Sequence, residues 1–250
     1  MNLVILVGRF PPGALGGAEY QAECWATRLA DRHRVTVVTR REGPGPLTRE
    51  SRDGFEVIRL PVSRVPVWRA IQDVRGIERV VRGLDPRPDA LLCFQTFVSG
   101  FAGVRVQRAQ GIPAVVWIRG EGEYQFASSA QARLLNPSVW QSARHVLIQT
   151  EEGRADFLEQ LARRDAALRA TVERKLDVIP NGLDLPPMDQ LTSATAATRV
   201  LSVGRLIRDK GMDVVIDAVA NLPDPTALQF WMGPGGHLLH YPMGNGHINF

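Results

Sequence analysis

Apolar residues along this chain fall into short runs, separated by longer stretches in which they recur at helical spacing. Residues 3–7 (L-V-I-L-V) are continuously apolar, the pattern of a strand buried on both faces of a parallel sheet. A Gly/Pro-rich loop over 8–16 follows. The helix predicted over 17–31 carries Ala18, Ala22, Trp25, Ala26 and Leu29 on the face that packs on the sheet. Further strands are predicted at 34–39, 55–60, 90–94, 114–118 and 145–150, with helices at 68–84, 98–110 and 127–142 among them. The turn-rich stretch R-R-E-G-P-G-P-L-T joins the second strand to the third. Strand–helix alternation through six repeats predicts an α/β fold with a doubly wound parallel sheet. A basic helix over 151–175 and a strand over 176–179 complete a first domain, read as 1–185.

Residues 186–198 (P-P-M-D-Q-L-T-S-A-T-A-A-T) are small, polar and proline-led, as an interdomain linker is. From 199 to 250 the pattern gives one strand, a helix over 211–220 and a strand over 228–232, the beginning of a second Rossmann-like domain. One strand–helix–strand unit cannot cover both faces of its own sheet, so this part by itself is expected to expose apolar surface.

Charge and composition narrow the partners. The chain has 250 residues, 44% of them hydrophobic, and a net charge of +4. Its cations are dispersed, with no basic block, zinc-finger spacing or aromatic-plus-basic signature, which argues against a nucleic-acid partner. Cys24 and Cys93 fall on a helix and a strand and read as small buried hydrophobes in a reducing cytoplasm. No apolar run approaches the ~20 residues of a membrane span, and the opening M-N-L-V-I-L-V-G lacks a signal peptide's basic region. A cytoplasmic location is therefore expected. The helix around 66–87 has Val67, Ile71, Val74, Ile77 and Val81 on one face, with Arg69, Arg75, Arg79 and Arg82 around it. Such a helix either packs on the sheet with a solvated arginine face or touches an anionic bilayer peripherally, at the inner membrane face.

Candidate chemistry sits where strands give way to helices. In V-L-S-V-G-R-L-I-R-D-K-G (200–211), Arg205 leaves a strand and Lys210 opens a helix behind the N-cap candidate Asp209. A cation at a helix N-terminus opposes the macrodipole unless an anion sits there too, so the pair suits a diphosphate. The alternative is a solvated Lys210 paired with Asp213. Gly16 and Gly17 leave backbone amides free to approach a phosphate or sugar, or form a plain tight turn. Glu19 in the first helical turn contacts an acceptor hydroxyl or merely complements the dipole. In W-I-R-G-E-G-E-Y (117–124), Arg119 and Glu121 leave the fifth strand; the alternative is an exposed ion pair of Arg119 with Glu121 or Glu123. Asn181 and Gly182 form a turn after the seventh strand. No D-x-D occurs, and His237, His240 and His247 lack acidic or thiol company, so no metal site is expected.

Four motifs in register, G-G-A-E (16–19), I-P-N-G-L-D (179–184), the 200–211 stretch and F-W-M-G-P-G-G (230–236), resemble the family 4 glycosyltransferases of the GT-B fold. The resemblance covers about residues 1–236. It implies a retaining, metal-independent transfer of a sugar from a nucleoside-diphosphate-sugar to a hydroxyl, with the donor as co-substrate and no other cofactor. The acceptor would be a glycan, a lipid-linked molecule or a small molecule. It implies donor binding by Gly16, Gly17, Asn181, Gly182, Arg205 and Lys210, acceptor contact by Glu19, and catalytic positions at Arg119 and Glu121. Family members commonly carry a histidine where this chain has Arg119. It also implies a longer second domain bearing a spaced glutamate pair, so the chain reads as truncated there. Two other expectations stay open: an inactive relic or interaction module, and a nucleotide-sugar epimerase of the same fold.

Overall fold

The computed structural model describes residues 1–13, 16–62, 66–126, 130–182, 200–203, 211–220, 228–231, 241–242 and 248–249. They form two compact units, Met1–Gly182 and Leu183–Phe250. The expected linker, 186–198, lies outside the described residues.

In the first unit β1 (Asn2–Leu6) leads to α1 (Gly17–Ala30), β2 (Arg34–Arg40), β3 (Thr48–Arg52), β4 (Phe55–Leu60) and α2 (Pro66–Arg82). Next come β5 (Ala90–Phe94), a π-type turn (Thr96–Gly100), α3 (Phe101–Gln110), β6 (Ala114–Trp117) and a 3-10 turn (Glu121–Glu123). Then follow α4 (Ala130–Leu134), α5 (Asn136–Ser142), β7 (His145–Ile148), α6 (Glu151–Arg164), α7 (Ala166–Glu173) and β8 (Leu176–Val178). The strands form one eight-stranded sheet in the order β3-β4-β2-β1-β5-β6-β7-β8. All neighbours are parallel except β3 and β4.

Alternating side chains along each strand build two cores. Val4, Leu6, Val38 and Ile58 face one side, where α2, α3 and α5 to α7 add Val74, Ile77, Val106, Trp140, Phe157 and Val172. Ile5, Val7, Val37 and Val57 face the other, where α1 contributes Ala22, Ala26 and the partly buried Trp25 and Leu29. That is why the strands read as unbroken apolar runs. Cys93 is buried, whereas Cys24 is only half-buried; both thiols are free.

Three features depart from the sequence expectation, each with a local cause. β3 (T-R-E-S-R) has no apolar alternation. It is a charged edge strand, folded onto β4 through the Asp53-Gly54 turn, with φ +29° and +88°. Arg59 on β4 ties it down by an ion pair to Glu50 at 2.8 Å. The helix expected over 127–142 divides between α4 and α5, where Pro137 opens the second piece at its N-terminus. The helix expected over 151–175 breaks at Asp165, whose carboxylate accepts from the Ala167 and Leu168 amides at 2.9 and 3.0 Å and caps α7. Of the apolar face foreseen on α2, Val74, Ile77 and Val81 are buried, but Ile71 is 43% exposed.

In the second unit β9 (Val200–Val203) pairs in parallel with β10 (Leu228–Trp231), with α8 (Met212–Ala220) between them in sequence. β11 (Tyr241–Pro242) and β12 (Ile248–Asn249) form a short antiparallel pair.

Candidate functional site

The sheet order reverses direction at β1: β2 and β4 lie to one side of it, β5 to β8 to the other. In open parallel sheets the crevice for ligands forms at that reversal, beyond the carboxyl ends of the strands. Here that rim is made by Gly8 after β1, Gln95 after β5, Arg119 after β6, Gln149 after β7 and Asn181 after β8.

Arg119 is the best-anchored cation on it. Its guanidinium lies over the Trp117 ring at 4.7 Å and the Phe94 ring at 5.3 Å. Nη2 donates to Asn181 Oδ1 at 2.8 Å. The Gln149 amide, oriented to satisfy both its ends, accepts from the two Nη atoms at 3.0 and 3.2 Å. Beneath, Trp117 is fully buried and packs edge-to-face on Trp25 at 5.2 Å. Burial pulls the Arg119 pKa down to about 10, against the opposing charges of Glu123 and Glu19. It therefore remains a cation at neutral pH, with its position fixed before any ligand arrives.

Glu123 holds the main chain beneath that cation. Its carboxylate accepts from the Arg119 amide through Oε1 and the Thr96 amide through Oε2, both at 2.6 Å, so one side chain clamps the loops after β6 and β5. Thr96 is fixed in turn by the Trp140 indole, which donates to its Oγ1 at 2.9 Å. Asn136 Nδ2 donates to the Glu123 carbonyl at 2.7 Å. Desolvation raises the Glu123 pKa, opposed by the hydrogen bonds from Thr96 and Arg119.

At the neighbouring N-terminus of α1, Gly16 is the N-cap and, as a glycine, offers no side-chain cap. The Tyr20 amide closes the first turn on the Gly16 carbonyl at 3.0 Å. Glu19 folds back over the cap: a Cβ on Gly16 would sit 2.4 Å from Glu19 Oε2, whereas Gly17 has nothing within 4 Å. Gly17 thus presents no side chain to an approaching ligand, and the Glu19 carboxylate lies over the start of the helix. Gln21, one turn in, is buried and donates to the Gly182 carbonyl at 2.9 Å, tying α1 to the turn after β8.

Of the residues singled out in the sequence, Gly16, Gly17, Glu19, Arg119, Asn181 and Gly182 come together at this rim. Glu121 does not share the clamp: it is exposed, and its carboxylate accepts from Gln125 Nε2 at 3.0 Å. Arg119 takes its fixed orientation from Asn181, Gln149 and two rings, rather than from Glu121 or Glu123 as the ion-pair alternative had it. Arg205, Lys210, His237, His240 and His247 lie outside the described residues. Among the described residues no group of three or more His, Cys, Asp or Glu side chains could hold a metal ion. Gln95, Thr96, Gln149 and the clamping role of Glu123 carry no motif. The available signal is positional, since Gln95, Thr96 and Glu123 follow a predicted strand within a few residues and Gln149 lies at the end of one.

A model of the glycosyl transferase 4-like domain matches residues 16–182. Among solved structures, HepE from Anabaena in complex with UDP-glucose is 17% identical, with a TM-score of 0.63, over 93% of this chain and 60% of that one. Sucrose-phosphate synthase from Thermosynechococcus elongatus is 17% identical, with a TM-score of 0.64, over 92% and 61% of the two chains. The trehalose-6-phosphate synthase OtsA is 15% identical, with a TM-score of 0.61, over 93% and 64%. At such identities the likeness is one of fold, and this chain spans less than two thirds of each of these structures. No curated protein matches it.

Proposed function

The chain belongs to the glycosyl transferase 4-like domain family, and on that premise we propose that it serves a glycosyltransferase that moves a sugar from a nucleoside-diphosphate-sugar to a hydroxyl acceptor. The observation that carries this reading is the fixed Arg119 cation beside the glycine-capped N-terminus of α1. A guanidinium on an aromatic platform and the positive end of a glycine-capped helix both attract an anion at one rim. We assign them to the donor's diphosphate. Gly17 gives the phosphate close access, and Asn181 and Gly182 shape the adjoining edge.

The reaction is assigned as retaining and metal-independent. As the bond between sugar and diphosphate breaks, negative charge grows on the leaving phosphate, and preorganised cations stabilise it. Arg119 supplies one such charge, and the sequence offers Arg205 and Lys210 as others. Glu19, whose carboxylate already leans over the helix cap, is assigned to an acceptor hydroxyl. Glu121, solvent-facing on the 3-10 turn, would meet substrate only at the outer edge of the site.

A recess of about 290 Å³ favours a lipid-linked acceptor among the candidate acceptors. It is lined by Ile71, Val74, Phe97, Val98, Phe101 and Leu135, with Arg75 and Arg105 at its edge. An apolar chain fits such a lining, and the arginines suit its anionic head or an anionic bilayer. On this reading the protein touches the cytoplasmic membrane face peripherally. Among the described residues no helix is long and apolar enough to cross a membrane.

Calorimetry tests the donor assignment. Wild type should bind UDP-glucose or GDP-mannose at up to millimolar concentration, and Arg119→Ala should bind it about 10- to 100-fold more weakly, the worth of a charged hydrogen bond. Equal affinities would remove the reading. Product analysis without acceptor separates transfer from epimerisation.

A further inference from the structure

The backbone of Gln95 has φ 77° and ψ 148°. That region is essentially reserved for glycine, because a Cβ there clashes with its own main chain. Val98, three residues on, has φ 50° and ψ −68°, a costly state for a β-branched residue. Two strained residues in four do not persist unless their surroundings hold them, and here the surroundings do so from several sides. The Gln95 amide donates to the Trp117 carbonyl at 2.9 Å, and its carbonyl accepts from Gly100 at 3.1 Å. Glu123 grips the Thr96 amide at 2.6 Å, and Trp140 grips the Thr96 hydroxyl. Gly100 is packed so closely that an added Cβ would stand 3.2 Å from the Gln95 carbonyl oxygen, Val116 and Val139.

Nothing in this packing needs a glutamine side chain. Glycine would take the same backbone without strain, yet the chain keeps a long amide there, and displays it. Gln95 is exposed, whereas its neighbours Phe94 and Thr96 are fully buried. Its Oε1 lies toward Gly8, where an added Cβ would meet it in ordinary contact at 3.8 Å. Gln95 follows the ring of Phe94, over which Arg119 lies, and faces the loop after β1. It therefore stands at the reversal of strand order itself, between the β1 loop and the cation.

We propose that Gln95 is a ligand-contacting residue whose side-chain amide hydrogen-bonds hydroxyls of the donor's sugar. A primary amide both donates and accepts, as a sugar hydroxyl does, and it carries no charge for the phosphates. The division of labour follows from the order along the rim: Arg119 and the α1 amides take the diphosphate, and Gln95 takes the sugar joined to it. Strain concentrated at a binding position is the pattern expected where a side chain must be held in one place against its own backbone preference. This inference rests on the donor reading above.

The test uses the full chain, with UDP-glucose or GDP-mannose, whichever wild type binds, against the matching free UDP or GDP. Gln95→Ala removes the amide and keeps the strain; Gln95→Gly removes both. Each should weaken sugar-nucleotide binding about five- to tenfold, one hydrogen-bonding group's worth, and leave the free nucleotide within twofold of wild type. Gln95→Gly should melt about 2–4 °C above Gln95→Ala, reporting the relieved strain. Sugar-nucleotide binding unchanged in either variant overturns the inference, as does equal loss of both ligands with a lowered melting temperature. Arg119→Ala separates the two levels: if it weakens both ligands while the Gln95 variants are silent, only the sugar contact falls. If wild type binds neither ligand, or Arg119→Ala is silent too, the donor reading falls and this inference with it.

Discussion

Arg119 and Asn181, 62 residues apart in the sequence, meet at 2.8 Å across the ends of β6 and β8. The strand lying between them, β7, adds Gln149 to the same guanidinium. Three consecutive strand ends therefore hold one cation, and its fork of N–H donors is oriented by side-chain oxygens rather than by a carboxylate. Its direct hydrogen-bond partners are uncharged, while the nearby Glu123 and Glu19 carboxylates offset only part of its charge.

Asn181→Ala should accordingly loosen the cation without removing it. The expected result is a threefold to tenfold loss of sugar-nucleotide affinity, about 1 kcal/mol for a cation left in place but less firmly oriented, and a melting temperature within error of wild type. Arg119→Lys should fare little better than Arg119→Ala, because an ammonium can neither form the fork nor stack on Phe94 and Trp117 as a plane. Calorimetry on the three variants checks the order. Full binding by Arg119→Lys would mean that charge alone matters at this position.

Glu123 should matter chiefly to the fold around the rim. Glu123→Ala strands the Arg119 and Thr96 amides, at about 1–3 kcal/mol for each buried donor left without a partner, and should lower stability by roughly 2–4 kcal/mol in denaturant unfolding. The pH dependence has a definite sign. The folded pKa of Glu123 is raised above its ordinary value of 4.5, mainly by desolvation, so the folded chain binds its proton more tightly than the unfolded chain does. Its contribution to stability is complete below that ordinary value and is lost as pH rises through the folded pKa. Asp73, likewise raised by burial against the attraction of Arg40, adds a contribution of the same sign. Glu123→Gln should flatten the wild-type decline over this window, read as melting temperature against pH.

Much of this architecture is legible in the chain, and what is not has physical causes. The runs at β1, β2, β5 and β6 announce themselves because both faces are buried, which leaves no polar alternation to confuse the pattern. β3 stays hidden because an edge strand with charged side chains looks like loop, and only the Asp53-Gly54 turn hints at it. Arg119 is visible as a cation leaving a strand, but its partners depend on sheet order, which no local motif encodes. Which glutamate of E-G-E turns inward is set by a single 3-10 turn, so Glu121 and Glu123 cannot be ranked from spacing alone. Gln95 hides for a different reason: a positive φ is normally advertised by glycine, and this chain does not use one there.

The break at Asp165 gives a stability prediction independent of function. The Asp165 carboxylate satisfies two of the four amides that α7 leaves open at its start. Asp165→Ala should cost about 1 kcal/mol and lower the melting temperature by about 2–4 °C, while Asp165→Asn or Asp165→Ser should recover most of it. Loss of sugar-nucleotide binding alongside so small a shift would mean that the α6–α7 corner influences the rim.

The apolar recess beside α2 separates two ideas about the acceptor. Ile71 is 43% exposed at its mouth, and Arg75, Arg79 and Arg82 are exposed farther along the same helix. If an anionic lipid or lipid-linked acceptor sits there, the protein should co-sediment with phosphatidylglycerol vesicles at low salt and much less at high salt, because surface charges are screened within about 10 Å at 0.1 M salt. Ile71→Glu places a carboxylate where an acyl chain would lie, and should cut vesicle binding about tenfold without shifting the melting temperature, since the side chain is already half in water. Arg75→Glu with Arg79→Glu should abolish the salt-sensitive part, each removed cation being worth about 1 kcal/mol near such a surface. Equal partitioning of wild type and Ile71→Glu would leave the recess without a lipid, and the acceptor would then be sought among soluble glycans and small molecules.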